Sequence, residues 1–277
     1  MTTNSMAPAE AWSTVAAAWD RNAEYVDGPT VGTTARLLEQ VAAGPGDRIL
    51  ELAAGPGTLS SVWSQLVGPT GSVVVTDVAP AMVEVATRRA AGLANVETAV
   101  VDASDIAWPD ATFDVVASRM GLMFTPDPAV AFAEMRRVLK PGGRLGALTW
   151  GAIEHNPWMT CVGMAAMATG LVSGGPPTGP GGIFSLGDPA RLEALAKEAG
   201  FVDVAVETIS VTFAADSVDA HIDRVSALAG PLAAVLQAAS PDQRAALRRT
   251  ATDLAAPYVT NDGVEMPGRA VLVSGRR

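Results

Sequence analysis

Glu51-Leu52-Ala53-Ala54-Gly55-Pro56-Gly57-Thr58 joins a short apolar run, residues 48–52, to a helical pattern over residues 58–66. A strand that turns through glycines into a helix builds a ligand crevice from the sheet's carboxyl edge and the helix N-terminus. Gly55 and Gly57 let a ligand approach bare backbone. A second apolar run, Ser72-Val73-Val74-Val75-Thr76-Asp77, ends on an acid 20 residues after Gly57. There its two carboxylate oxygens suit the paired hydroxyls of a ribose. A tight turn with a helix cap would use the same glycines, but turn, strand and terminal acid together point to a nucleotide-type ligand.

The chain around this turn alternates short apolar runs with longer amphipathic ones. Strands are expected at residues 48–52, 72–77, 96–101, 113–118 and 143–150, and helices at 58–66, 80–91 and 127–139. Near-continuous apolar strands between helices predict a parallel sheet covered on both faces. Two helices are expected in the first 44 residues, separated by Asp27-Gly28-Pro29. After residue 187 come a helix at 189–199, a long strand at 201–213, helices at 218–229 and 242–256, and a last strand at 270–274. The expected division is one domain: N-terminal helices (1–44), a cofactor-binding core (45–150), a lid over the acceptor (151–186), and the rest of the sheet with inserted helices (187–277). Residues 173–182 are rich in glycine and proline and read as loop.

The 277 residues are 49% hydrophobic and 17% charged, a compact globular profile. A net charge of -10 repels phosphate backbones, so no nucleic-acid partner is expected. One cysteine, Cys161, excludes an internal disulfide framework and a cysteine-built zinc site, and it is read as a small buried hydrophobe. No metal site is expected. Residues 1–9 lack the basic and apolar regions of a signal peptide. The apolar stretch at 158–172 is too short to span a bilayer. A soluble cytoplasmic chain without membrane insertion is expected; the oligomeric state stays open, a homodimer included.

The dinucleotide fingerprint needs a third glycine where this chain has Ser60, and the acid at Glu51 suits no pyrophosphate. Glu51, Asp77 and Asp102 stand at three successive strand ends, which favours a positively charged adenosyl ligand. Residues 49–57, 75–82 and 101–105, then 109–114 and Glu134-Met135-Arg136-Arg137-Val138-Leu139-Lys140-Pro141-Gly142-Gly143-Arg144, together resemble the class I S-adenosylmethionine-dependent methyltransferases of the ubiquinone/menaquinone-methyltransferase-like branch. The resemblance covers residues 47–150. It implies a Rossmann-like α/β fold with a seven-stranded sheet, mostly parallel with an antiparallel last strand, and S-adenosyl-L-methionine as cofactor. It also implies roles: Glu51, Ala53, Gly55 and Gly57 around the methionine part, Asp77 on the ribose, Val78 and Met82 on the adenine. Asp102 and the Ala103 backbone N–H would meet the adenine edge, and the Ser118 carbonyl the methionyl amine. Ala53 stands where the family usually has glycine.

The expected reaction is methyl transfer to a small, largely apolar acceptor, at oxygen or carbon of a quinol, phenol or polyketide-like metabolite. The rival readings are a cofactor-using enzyme that catalyses a non-methylating step such as cyclisation, and a non-catalytic binder of the cofactor. His155, after the fifth strand, is the candidate general base. His221, between Asp219 and Asp223, is expected on a solvated helix face. Tyr25 is a candidate cover for the sulfonium through a cation–π contact. Met123, Phe124, Trp158 and Met164 are the candidate acceptor wall.

Overall fold

The computed structural model describes residues 8–277 apart from Gly174 and Pro176, so the reading of the N-terminus and part of the glycine/proline loop lie outside the described residues. The strands are β1 (Arg48–Leu52), β2 (Ser72–Asp77), β3 (Val96–Val100), β4 (Phe113–Arg119), β5 (Leu139–Trp150), β6 (Val202–Ala215), β7 (Val259–Thr260) and β8 (Gly263–Arg276). They form one sheet in the order β3-β2-β1-β4-β5-β8-β6, with the two-residue β7 paired to β8 outside that path. β1 to β5 are parallel, and β8 runs antiparallel between β5 and β6. This is the Rossmann-like mixed α/β sheet expected. The two-residue β7 makes eight strands.

The side-chain period of two sends neighbouring strand residues to opposite faces. Ile49, Val73, Val75, Val115 and Ala117 pack with Leu37, Val41, Trp63 and Val67. These come from α3 (Val31–Val41) and α4 (Ser60–Val67). Leu50, Leu52, Val74, Val116 and Leu145 pack on the other face, with Phe132 and Met135 of α6 (Pro128–Val138). α5 (Pro80–Arg89) follows β2, and α8 (Pro189–Glu198) precedes β6.

Three elements differ from expectation. The N-terminal segment holds α1 (Pro8–Arg21) and a separate short α2 (Ala23–Asp27) before α3. The insertion between β6 and β7 holds α9 (Val218–Leu228), α10 (Pro231–Ala238) and α11 (Pro241–Ala255), where two helices were expected. The last strand is much longer than residues 270–274. β5 flanks β8 only from residue 270 onward, so Pro267 lies where one side of β8 has no β5 ladder and its missing N–H breaks no bond there.

The segment at 151–186 contains α7 (Pro157–Ala168). Trp158, Cys161, Val162, Ala165 and Ala166 of this helix belong to the main core. α7 is packed as a core helix against α11 and β8. Among the described residues, no helix is long and apolar enough to cross a membrane.

Candidate functional site

The strand order reverses direction between β1 and β4, where chain connections leave to opposite sides and open a crevice at the carboxyl ends. Along that edge the topology lines up Ser118, Glu51, Asp77 and Asp102, from β4, β1, β2 and the residues after β3. At about 4.8 Å per strand the row spans roughly 14 Å, a length suited to an extended nucleoside with an amino-acid tail.

The glycine turn lies under this row. Ala53, Gly55 and Gly57 all have positive φ, at 51°, 56° and 70°. Gly55 faces open space, with no atom within 4 Å of a Cβ built on it. Gly57 is different: a Cβ there would lie 2.7 Å from the Ala86 Cβ of α5. Gly57 is therefore a close-packing glycine, and Gly55 is the one that leaves backbone open to a ligand. The methyl of Ala53 is accommodated from the other side by Gly121, whose own Cβ would come within 2.3 Å of it.

Asp77 is 8% exposed and clamps the turn. Its Oδ2 accepts from the Gly55 N–H at 2.9 Å, and its Oδ1 from the Ala79 N–H at 2.9 Å. Burial raises its pKa, and these backbone donors work against the rise. Each carboxylate oxygen has a second lone pair, enough for a ribose diol.

Glu51 is 2% exposed, and burial pushes its carboxyl up to about 7 in spite of the neighbouring Arg119 guanidinium. Its Oε2 has no hydrogen-bond partner, nor does the indole nitrogen of Trp63 nearby. The hydroxyl of Ser118, fully buried on the adjacent strand, is also unpartnered. Native interiors rarely leave such atoms unpaired, so the orphaned Glu51 oxygen marks a place built for a polar ligand; Ser118 is in register with Leu52 and its side chain lies on the opposite face of the sheet. Asp102 is exposed, with its Oδ1 on the Ser104 N–H at 2.8 Å; Ala103 is buried.

Other candidate residues fall elsewhere. Met82 is 2% exposed and packs with Val15 and Ala16 of α1, which covers the position intended for adenine. Val78 is half-buried at the crevice end of β2. His155 is exposed in a 3-10 turn, with no side-chain hydrogen bond among the described residues. Trp158 is stacked on Phe213, with ring centroids 3.7 Å apart, and Met164 is 49% exposed on the outside of α7. Neither lines an acceptor wall beside the strand ends. Met123 is fully buried core, and Phe124 meets Trp12 edge-on at 4.7 Å. Cys161 is 3% exposed, and burial pushes its thiol up to about 11.

His221 reverses its expectation, being fully buried. Its Nε2 lies 2.6 Å from the Trp158 carbonyl, which can only accept, so Nε2 carries the proton. Nδ1 is then an acceptor, and the Tyr25 hydroxyl donates to it at 3.0 Å. Burial lowers the histidine's pKa and raises the phenol's. The face of Tyr25 already carries a cation, the Arg224 guanidinium 5.0 Å from the ring centroid. The tyrosine fastens α2 to α9, a different duty from covering a sulfonium.

The sequence reading left Arg119 without a cofactor role and Asp27 without any. Arg119 closes β4 and bridges Asp27 at 2.8 Å; its Nη2 also reaches Thr58 Oγ1 at 2.5 Å, and its Nη1 Thr34 Oγ1 at 3.3 Å. An arginine ending an otherwise apolar strand was the available signal. A cavity of about 580 Å³ opens among α9, α10 and α11, lined by Ile222, Leu236, Leu247 and Arg248. No strand-end residue lines it.

The family described as a methyltransferase domain matches residues 49–143, the span of the turn and its acids. The ubiquinone/menaquinone biosynthesis C-methyltransferase UbiE of Teredinibacter turnerae is 38% identical over 122 residues, 43% of this chain and 49% of that protein. The glycine turn and the strand-end acids thus lie in a stretch similar to the methyltransferase-domain family. The chain spans about half the length of the curated relatives it matches. Its fold is shared with a Bacillus halodurans protein proposed to be a methyltransferase, at a TM-score of 0.60 and 20% identity, covering 87% of this chain and 97% of that one. It is shared too with phosphoethanolamine N-methyltransferase 2 of Haemonchus contortus, solved with S-adenosylhomocysteine. That match has a TM-score of 0.60 and 18% identity, covering 98% of this chain and 60% of that one.

Proposed function

We propose that this chain binds S-adenosyl-L-methionine across the β4-β1-β2-β3 edge and transfers its methyl group to a small, largely apolar acceptor. The relatives are C-methyltransferases of ubiquinone/menaquinone biosynthesis, which favours a carbon of a quinol-type ring over an oxygen as the acceptor atom. The observation that carries the reading is the row Ser118, Glu51, Asp77 and Asp102 along one strand-end edge, with the buried, unpartnered Oε2 of Glu51 within it. Three acids on one sheet edge match a ligand with an ammonium and a sulfonium, and they oppose a diphosphate.

When bound, the cofactor supplies an electrophilic methyl for in-line displacement. The chain's own residues bind and orient. Glu51 holds the ammonium, Asp77 accepts from the ribose diol, Asp102 accepts from the adenine amine, and the open side of Gly55 admits the tail. Positioning of this kind yields effective molarities of about 10⁵ M and above. A carbon or oxygen nucleophile that these residues hold in line would form the new bond as the methyl–sulfur bond breaks, with the electron pair kept on sulfur and the acceptor's own proton passing to solvent.

Calorimetry tests the cofactor: S-adenosylmethionine and S-adenosylhomocysteine should bind, and NAD and NADP should not. Tight NAD binding would end the assignment. Incubation with a panel of quinols and phenols, read by mass spectrometry, should show a gain of one methyl with equimolar S-adenosylhomocysteine. Product formed without S-adenosylhomocysteine would favour a non-methylating enzyme, and binding without any product a non-catalytic binder.

A further inference from the structure

Two acids share one cation in the crevice. Asp27, ending α2, bridges Arg119, and Glu51 lies within electrostatic reach of both. The burial of the three groups differs. Glu51 is 2% exposed, the Arg119 side chain 13%, and the Asp27 side chain 35%. A guanidinium this covered needs a partner at all times, because an uncompensated buried charge is costly. Asp27 is the most exposed of the three, and its return to water gives up the ion pair and one hydrogen bond accepted from the Thr58 hydroxyl at 3.2 Å.

Arg119 also lies over the turn, since one of its Nη2 bonds goes to Thr58, the residue after Gly57. Its hydrogen bonds to Thr58 and Thr34 use two of five N–H donors, and its contact with Asp27 is an ion pair at 2.8 Å. The Nε–H and the second Nη1–H have no bond among the described residues. Beside it, the Glu51 Oε2 is buried and unpartnered. A buried acid with one unpartnered oxygen, beside a guanidinium whose more exposed partner can be exchanged, matches a zwitterion, an α-amino acid with its ammonium on Glu51 and its carboxylate on the arginine.

We infer that Arg119 is the anchor for the α-carboxylate of the cofactor's amino-acid tail, and that this carboxylate displaces Asp27 from it. The inference rests on the proposed cofactor reading and deepens it: recognition of the tail is an exchange of one carboxylate for another. Displacement frees the last residue of α2 while Tyr25 keeps the helix fastened to His221. Arg119 is thereby a specificity residue, selecting ligands that bring a carboxylate.

Decarboxylated S-adenosylmethionine isolates the point, because it keeps the sulfonium and the ammonium and lacks only the carboxylate. By calorimetry the wild-type chain should prefer the complete cofactor by about ten- to a hundredfold, the worth of hydrogen bonds to a charged group. Arg119→Met should bind the two compounds alike. Asp27→Asn, which weakens the competitor, should raise affinity for the complete cofactor severalfold and widen the preference. A preference that survives Arg119→Met, or narrows in Asp27→Asn, overturns the anchor while leaving the cofactor site standing. If the wild-type chain binds neither compound, the cofactor reading falls and the anchor with it. Melting curves accompany each variant, and Asp27→Asn decides alone if Arg119→Met does not fold.

Discussion

Burial at the end of β1 raises the Glu51 carboxyl from 4.5 to about 7, so the folded chain binds this proton more tightly than the unfolded one does. The contribution to stability is complete below pH 4.5 and is lost as pH rises to about 7, some 3 kcal/mol at about 1.4 kcal/mol per unit. Glu51→Gln should therefore unfold at higher urea than the wild-type chain at pH 8, with the gap closing toward pH 4, while its cofactor affinity at pH 8 falls. A variant less stable than wild type at pH 8 would mean that the charge is fully compensated. The glycines separate in the same way. Gly55→Ala should cost about 1–2 kcal/mol for a left-handed alanine and weaken cofactor binding, because its methyl enters open crevice. Gly57→Ala adds contact with Ala86, an overpacking cost of about 1–3 kcal/mol beyond the strain. Paired melting and titration curves should show Gly57→Ala as the less stable variant and Gly55→Ala as the one with the larger binding loss per unit of stability lost.

Helix starts were legible where sequence states both cap and entry. Asp127-Pro128, Asp188-Pro189 and Ser240-Pro241 each open a helix whose first amides bond the Asp or Ser side chain. Gly230-Pro231 opens α10 with no capping side chain, and that helix was missed. Facing was harder to read on α7, whose apolar residues run all round and leave no polar stripe to orient it. Trp158 faces the core and Met164 faces out. Trp158→Ala should therefore lower stability by about 3–5 kcal/mol, and Met164→Ala should stay within about 0.5 kcal/mol of wild type, both read by chemical denaturation. Equal effects would mean that α7 is not seated as a core helix. His221 was misplaced although its spacing carried the answer. Residues two apart on a helix do not share a face, so Asp219 and Asp223 point away from it. Val225 and Leu228, four and seven residues on, lie buried beside it.

At the scale of the whole molecule, buried groups set opposing responses to pH. His221 has a depressed pKa, so its contribution is present above its ordinary value of 6.5 and is lost as pH falls below it. Glu51 works in the other direction. His221→Gln should flatten the loss of stability between pH 6.5 and 5, measured by melting temperature across a buffer series; an unchanged slope would mean that the loss comes from other groups. The strand-end acids were readable because each closes its own apolar run. The Arg119–Asp27 bridge was not, because only the placement of β4 beside β1 brings the end of β4 to the N-terminal helices. The seating of β8 between β5 and β6 also sets a timetable for synthesis. Among the described residues the 14-residue β6 pairs with β8 and with no other strand, and β8 closes at Arg276, 61 residues after β6 ends at Ala215. At about 5–20 residues per second the ribosome needs roughly 3–12 seconds to cover that distance. Through that interval β6 waits without β8, and its long unpaired edge is a stretch of nascent chain open to pairing with other chains.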